Sequence, residues 1–413
     1  MFSSRLTLVA VFAAVIVIGA FEPAETADVV SRPEKVQSLR IVGYGRDEYE
    51  ELAKRWKEYN DAFPSEDAYG YWMYAARYAK DPDYIKLLDK GLDKYPANPI
   101  LLYLAGLKRL GAVDDHEGLQ YLERSVAMDP TFMEPWFSLV IHYMQRGEME
   151  LMDVALRRLV EGDAISETVM DYCYNMLAGL HENAIIVTNG DNDTYPVWIF
   201  KRLMNHRPDV CIVNRSLLNS EWYPLLIIKR GAPRFITSGE LEKLRTTSKP
   251  PWSDELIVRL IKAAEREERP VYIAATVPPS KTLKPYMESG TLLGLATLVS
   301  DPPVSLSDEV KRIAEIWLKE YRTNGLDSWS IRYKTENHSD RRIAINYASS
   351  LRRMCEPLEK HAPTYRLGLF NWYHNHVADI MSQKYNDDLN TVWCSFTDIP
   401  EIRSWCREKG YIE

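Results

Sequence analysis

A short apolar run at residues 184–188 stops at Asn189-Gly190 and is followed by Asp191 and Asp193. An apolar run of this length, bounded by a turn signal, predicts a buried strand. In open α/β folds, ligands bind outside the carboxyl ends of the strands. The sequence therefore places both aspartates at a sheet edge where a ligand site is expected.

The residues after Ser166 alternate between apolar runs and helical patterns, which is typical of strand–helix–strand units. Helices and strands are predicted at several places: strands at 184–188, 210–214, 234–237 and 271–276, and helices at 194–205, 254–266 and 307–321. Few other apolar runs remain, so we expect a small, mostly parallel sheet of about four strands.

The preceding part of the chain carries helical patterns that repeat at an offset of roughly 34 residues, the period of tetratricopeptide repeats. Leu88, Leu122 and Leu156 align at this offset, and Tyr95-Pro96 aligns with Asp129-Pro130. We expect three such repeats over residues 65–166, with a cap helix at 47–62. Small Gly106 and Gly118 would let paired helices approach closely, with Leu122 in the seam between them. A plain helical bundle is the alternative.

The chain of 413 residues is too long for one ordinary core. Its predicted fold class is α/β plus all-α: helical repeats, then a small sheet domain, then C-terminal helices. Four parts are predicted: a signal peptide or N-terminal anchor (1–27), a tetratricopeptide-like domain (47–165), an α/β domain containing the Gly-Asp-Asn-Asp turn (166–361), and a helical extension (362–413).

The N-terminus has the layout of a secretory signal. Arg5 precedes an apolar or small-residue run at 6–21, and Ala20, Ala24 and Ala27 offer cleavage positions. We expect export to the periplasm or the extracellular space. An uncleaved anchor is the alternative, since a run of about 16 residues is only slightly shorter than the roughly 17 to 25 that span a bilayer.

The net charge of the chain indicates its class of partner, and its cysteines bear on the redox state of its compartment. A net charge of −8 gives no basic face for nucleic acid, so we expect a protein, glycan or small-molecule partner. The five cysteines form no C-x-x-C pair and no zinc spacing. We expect an unpaired buried thiol at each position, with a Cys394–Cys406 bridge in an oxidising compartment as the alternative.

Several blocks of the sequence carry a resemblance to a known family: Asn-Gly-Asp-Asn-Asp-Thr-Tyr-Pro-Val-Trp at 189–198, then 207–210, 214–219, 222–223, 290–299 and 342–347. Together they resemble the soluble region that follows the membrane helices in bacterial membrane proteins similar to protein O-mannosyltransferases. The resemblance covers roughly residues 166–360. It implies an extracytoplasmic setting tied to surface glycans, and such regions often accompany tetratricopeptide-like repeats. The membrane-embedded transferase part lies outside it, so it supplies no catalytic residue.

Asp191 and Asp193 allow three interpretations. Two carboxylates one residue apart can ligate one divalent metal, as in enzymes that hold a nucleotide-sugar diphosphate. Alternatively, Asp191 and Asn192 satisfy backbone groups in the turn, while Asp193 or Thr194 caps the helix that Pro196 begins. The third interpretation is ligand contact without catalysis. We expect the capping role, because the sequence has no glycine-rich phosphate loop and activated nucleotide donors are scarce outside the cytoplasmic membrane.

Further polar residues follow the second predicted strand and should lie at the same sheet edge. Together with Asn189, Asp191, Asn192 and Asp193, the candidate ligand-binding residues are Arg215, Ser216, Asn219, Glu221 and Trp222. The indole of Trp222 would form an aromatic floor on which a sugar ring could stack.

These observations favour an exported interaction protein, an accessory or glycan-binding factor linked to cell-surface glycosylation. Its helical repeats would bind a protein and its α/β part would bind a glycan, with membrane contact only through the N-terminal segment. The alternative is a metal-dependent, glycosyltransferase-like enzyme that uses Asp191 or Asp193. The first interpretation is favoured because no nucleophile, general base or complete set of metal ligands can be assembled from the sequence.

Overall fold

The computed structural model describes residues 30–108, 116–247, 249–300 and 304–413. The predicted signal peptide or anchor at 1–27 lies outside these residues. Within them, no helix is both long enough and apolar enough to cross a membrane.

The N-terminal part of the described chain is helical, as predicted. Its helices are α1 (Arg46–Ala62), α2 (Glu66–Ala79), α3 (Tyr84–Lys94), α4 (Pro99–Lys108), α5 (His116–Met128), α6 (Glu134–Arg146) and α7 (Met149–Glu161). Neighbouring helices pack in pairs, α1 with α2, α4 with α5 and α6 with α7. The cap helix predicted at 47–62 corresponds to α1. The assignment to tetratricopeptide repeats stays a prediction.

Helices α4 and α5 approach closely at Gly106. A Cβ atom at this position would lie 2.7 Å from Cγ of Leu122 and 3.1 Å from the carbonyl oxygen of Gly118. Real Cβ atoms do not come this close to a neighbouring carbon, so the helix pair requires glycine here. The seam that the sequence predicts between Gly106 and Leu122 is therefore present.

After α8 (Glu167–Ala178) the chain forms a sheet with flanking helices. The strands are β1 (Ile185–Thr188), β2 (Cys211–Asn214), β3 (Val271–Ala274), β4 (Thr291–Leu293) and β5 (Ala296–Leu298). The helices between them are α9 (Tyr195–Leu203), α10 (Tyr223–Lys229), α11 (Ser238–Thr247), α12 (Ser253–Glu265) and α13 (Lys284–Ser289).

The sheet is mixed rather than mostly parallel, and in the described residues it has five strands in the order β2-β1-β3-β5-β4. Strand β1 pairs in parallel with β2 and β3, with Ile186 opposite Ile212 and Tyr272. Strands β4 and β5 pair antiparallel, and β5 continues antiparallel onto β3. This hairpin is not predicted from the sequence, because each of its strands has only three residues.

The strand predicted at 234–237 is wrong, since those residues form no strand. Thr237 instead begins α11 with a reciprocal cap. Its hydroxyl accepts a hydrogen bond from the backbone N–H of Glu240 at 3.3 Å, and its own N–H donates to the Glu240 carboxylate at 2.8 Å. The β-branched residues of this segment therefore lead into a helix.

The C-terminal part is helical. It contains α14 (Leu306–Lys319), α15 (Asn324–Asp327), α16 (Ser339–His361), α17 (Arg366–His376), α18 (Gln383–Ser395) and α19 (Pro400–Glu408). Cys394 and Cys406 form a disulfide between α18 and α19, so the expectation of free thiols is wrong for this pair. The reason is that these helices fold back on each other and bring the two Cα atoms to 5.8 Å. Cys173, Cys211 and Cys355 are free and buried, as expected.

One hydrophobic core runs from Val36 to Cys406 and crosses the boundary predicted near Ser166. The phenolic hydroxyl of Tyr195 at the start of α9 donates to the carbonyl of Phe137 on α6 at 2.8 Å. The rings of these two residues also meet edge to face at 4.9 Å. The helical part therefore packs directly against the helix that follows the predicted site.

Candidate functional site

A polar cleft of about 330 Å³ lies at the carboxyl ends of β1 and β3. Strand β1 delivers the turn that follows Thr188, and β3 delivers Ala275 and Thr276. The opposite walls come from the segment before α1 and from the first turns of α16. The lining residues are Leu39, Asn189, Gly190, Asp191, Asn192, Asp193, Ala275, Thr276, Ser339, Arg342, Ile343 and Asn346.

Asp193 is buried beneath the turn and holds it in shape. Its carboxylate accepts hydrogen bonds from the backbone N–H of Asn189 at 2.7 Å and of Gly190 at 2.9 Å, and a third from the Thr276 hydroxyl. Burial raises the pKa of this carboxyl, and these donors offset part of the effect. Asp193 therefore ties the residues after β1 to those after β3.

The helix-capping role predicted for Asp193 or Thr194 is wrong. Thr194 is the N-cap residue of α9, but no side chain caps the helix there. The Thr194 hydroxyl instead bonds with Thr188 at 2.6 Å and accepts from the Asn214 amide at 2.9 Å. The turn residues point back towards the strand ends rather than forward along the helix. Pro196 lies in the first turn of α9, as predicted.

Asp191 reaches solvent at the cleft, with 47% of its side chain exposed. It forms an ion pair with Arg40 at 3.4 Å. Arg40 also pairs with Glu134 on α6, and its guanidinium lies 3.8 Å from the ring centroid of Phe137. Burial would lower the pKa of Arg40, but the two carboxylates raise it above its usual range. Arg40 thus fixes one side of the cleft to the N-terminal helices.

The backbone of Arg40 also holds Asn192. The Asn192 side-chain amide donates a hydrogen bond to the carbonyl of Arg40 at 2.9 Å. Together the two contacts orient Asp191 and Asn192 at the rim. Arg40 is not predicted as a site residue from the sequence, because it precedes the first predicted helix and belongs to no motif.

The wall opposite the turn is one face of α16. Ser339, Arg342, Ile343 and Asn346 have the i, i+3, i+4, i+7 spacing that places residues on one side of a helix. The exposed Arg342 guanidinium lies over Gly43, where a Cβ atom would be 2.5 Å from Nη1. In the described chain it has neither a hydrogen bond nor an ion pair, so its donors are available to a ligand.

Arg215 and Ser216 support the turn from behind instead of lining the cleft. Arg215 makes two hydrogen bonds to Asp254, at 2.7 and 3.1 Å, and its Nη1 is 3.4 Å from the Asn189 side chain. The Ser216 hydroxyl donates to the carbonyl of Asn189 at 2.9 Å. Both residues therefore fix Asn189 in place.

Asn219, Glu221 and Trp222 also lie outside the cleft. The Asn219 side-chain oxygen accepts from the backbone N–H groups of Trp252 at 2.7 Å and Ser253 at 3.0 Å, at the start of α12. Glu221 pairs with Arg245, and Trp222 packs edge to face on Tyr223 at 5.5 Å. The expected aromatic floor is absent from the lining residues, because the chain turns into α10 directly after Trp222.

The neighbours of Asp191 and Asp193 determine whether the two aspartates can hold a metal ion. Within residues 30–108, 116–247, 249–300 and 304–413, no group of three or more His, Cys, Asp or Glu side chains is placed to hold a metal ion. Both oxygens of Asp193 already accept hydrogen bonds. A cation at this turn would have to use Asp191 with neutral oxygens and compete with Arg40.

Residues 169–230 match the family model TMEM260-associated domain 2. That model belongs to a glycosylation-related family of membrane proteins. The matched segment runs from α8 to the end of α10 and contains the complete turn after β1. No tetratricopeptide family model matches, and no curated protein matches the chain.

Proposed function

We propose that this protein is an exported interaction protein that binds a glycan in the cleft beside β1 and β3. The supporting observation is the lining: Asn189, Asp191, Asn192, Ser339, Arg342 and Asn346 surround one open cleft with hydrogen-bonding groups. Sugars are recognised through hydroxyl groups that both donate and accept. Amides match both roles, carboxylates accept from the hydroxyls, and a guanidinium donates to them. The match of residues 169–230 to a glycosylation-related family supports the same ligand class.

The contacts around Asn189 and Asp191 favour recognition over catalysis. Arg215 and Ser216 hold Asn189, while Arg40 holds Asp191. Side chains fixed in this way are preorganised for a ligand, which lowers the entropic cost of binding. Metal-dependent glycan chemistry is the second candidate function. It is less favoured because the Asp193 carboxylate already accepts three hydrogen bonds and Asp191 already pairs with Arg40.

Export is supported by two independent features. The first is the predicted signal at residues 1–27, where Arg5 precedes an apolar run. The second is the Cys394–Cys406 disulfide, since structural disulfides persist mainly in oxidising compartments. The N-terminal helices α1–α7 would then be available to a protein partner outside the cytoplasmic membrane.

Calorimetric titration of the full chain with mannose and α-linked mannose disaccharides tests the proposed ligand class. We expect binding by at least one disaccharide and a loss of about tenfold in Asp191→Asn, the size of effect expected for one charge-assisted hydrogen bond.

Asp67→Asn is the matched control, because 49% of the Asp67 side chain is exposed and it too pairs with an arginine, Arg32. Asp67 lies on α2, away from the lining residues, so its replacement should leave the affinity unchanged. If no sugar binds, or if both variants lose affinity equally, the proposed function is wrong.

A further inference from the structure

Two adjoining pockets lie at the amino end of β2, at the opposite end of the strands from the cleft. The first, of about 100 Å³, is largely apolar and is lined by Met144, Met152, Trp198, Ile212, Tyr223 and Ile227 among others. The second, of about 520 Å³, is polar and opens to the surface. The two pockets share Lys201, Cys211 and Arg230. A ligand could therefore occupy both at once, with its polar and apolar ends separated.

The shared cations Lys201 and Arg230 contact neutral groups in the described part of the chain. The Lys201 ammonium donates to the carbonyl of Val210 at 2.5 Å. The Arg230 guanidinium contacts the thioether sulfur of Met149, which is a weak acceptor. Within the described residues, neither cation has a carboxylate oxygen within the 4.0 Å of an ion pair. The described residues therefore supply no carboxylate that neutralises either positive charge.

The acidic residues nearby have other partners or stay at the rim. Asp209 pairs with Arg207, and Asp153 pairs with Arg202. Three exposed glutamates, Glu182, Glu267 and Glu268, line the outer pocket without forming an ion pair with either shared cation.

The surroundings of Lys201 disfavour its positive charge. Partial burial lowers its pKa, and repulsion from Arg202 and Arg269 lowers it further, while Asp209 and Cys211 offset only part of this. A bound anion would relieve the repulsion among these cations. The adjoining apolar surface would favour a ligand that also carries a hydrocarbon group.

From this arrangement we infer that the paired pockets bind an anionic amphiphile, with a phosphate head between Lys201 and Arg230 and a short alkyl group in the apolar pocket. Guanidinium and ammonium groups are the side chains that recognise phosphate most effectively. The inference is independent of the glycan proposal, because the two sites share no lining residue.

The test is calorimetric titration of the full chain with three probes: hexyl phosphate, inorganic phosphate and 1-hexanol. We expect hexyl phosphate to bind at least about tenfold more tightly than either other probe, since only it supplies both the charge and the apolar group. Equal affinity for inorganic phosphate would identify a free-phosphate site and overturn the inference. Equal affinity for 1-hexanol would identify a purely apolar pocket and overturn it as well.

Variants of Arg230 locate the head group. Arg230→Gln should weaken hexyl phosphate binding about tenfold, while Arg230→Lys should retain most of it. Arg266→Gln is the matched control, because both arginines are helix C-cap residues and neither guanidinium pairs with a carboxylate among the residues that the structure describes. Unchanged binding in Arg230→Gln, or an equal loss in Arg266→Gln, would contradict the inference.

Discussion

At the residue scale, the two aspartates of the turn after β1 have different roles. Asp193 is buried and accepts three hydrogen bonds, whereas Asp191 is half exposed and pairs with one arginine. Their sequence positions, two residues apart after a glycine, do not reveal this difference. It follows from the fold, which brings Thr276 from the loop after β3 against Asp193 and Arg40 from the segment before α1 against Asp191.

This difference gives the first prediction, which concerns stability. Asp193→Asn should lower the free energy of unfolding by about 2 kcal/mol, because the amide nitrogen cannot accept from the N–H groups that the carboxylate now serves. Asp191→Asn should cost less than about 1 kcal/mol, as is usual for an exposed ion pair. Urea unfolding of both variants measures these values. Equal costs would show that Asp193 does not hold the turn.

Asp209 gives a prediction of pH dependence. Its carboxylate accepts two hydrogen bonds from Arg207, at 2.9 and 3.0 Å, and one from the backbone N–H of Asn183 at 3.0 Å. The bonds from Arg207 are the main reason that the pKa of Asp209 falls from 3.8 to about 2. The folded state therefore holds the proton of Asp209 less tightly than the unfolded state does. The stability that the ionised carboxylate contributes is fully present above pH 3.8 and is lost as the pH falls through about 2.

Between pH 5 and pH 2, the free energy of unfolding of the parent should therefore fall by about 1 kcal/mol more than that of Asp209→Asn. This figure allows for solvent screening of the partly exposed pair. Urea unfolding at a series of pH values measures the difference. Parallel pH profiles for the two proteins would contradict this assignment.

At the scale of elements, α4 and α5 depend on the small residue at Gly106. Gly106→Ala should lower the free energy of unfolding by about 1 to 3 kcal/mol, since its Cβ atom would overlap Leu122 and force the seam apart. Gly239→Ala on α11 is the control, because nothing lies within 4 Å of a Cβ atom there. The control should be neutral or slightly stabilising. If both variants behave alike in thermal unfolding, the close approach of α4 and α5 is wrong.

The sequence predicts elements well where long patterns determine them. Strands β1, β2 and β3 and helices α1, α9, α12 and α14 lie within a few residues of their predicted positions. The hairpin of β4 and β5 was missed, because runs of three residues carry too little periodicity to distinguish a strand from a loop. The supposed strand at 234–237 was wrong because its terminal threonine caps a helix.

In the candidate site, the sequence predicts the turn after β1 but not the wall that faces it. Local sequence identifies the turn at 189–193, since an apolar run and a glycine mark the end of a strand. The facing residues Ser339, Arg342 and Asn346 lie about 150 positions later, on a helix whose side facing the cleft depends on tertiary packing. Arg215 and Trp222 were placed at the correct edge of the sheet, but the fold turns them away from the cleft.

At the scale of the whole molecule, the C-terminal helices are joined covalently. Cys394 and Cys406 are 12 residues apart, and a bridge that closes a loop of this size contributes about 3 kcal/mol by restricting the unfolded chain. Cys394→Ser with Cys406→Ser should lower the free energy of unfolding by about this amount. A reducing agent should destabilise the parent to a similar extent and leave the double variant unaffected. An equal response of both proteins to the reductant would contradict a bridge between these two cysteines.

We propose that residues from distant parts of the chain form one glycan-binding cleft at the carboxyl ends of β1 and β3. Hydrogen–deuterium exchange of the full chain, with and without a saturating α-linked mannose disaccharide, tests it most directly. We predict slower exchange in two segments, residues 189–193 and 339–346, and no change in α2 or α7. Protection confined to the N-terminal helices, or no protection at all, would contradict the claim.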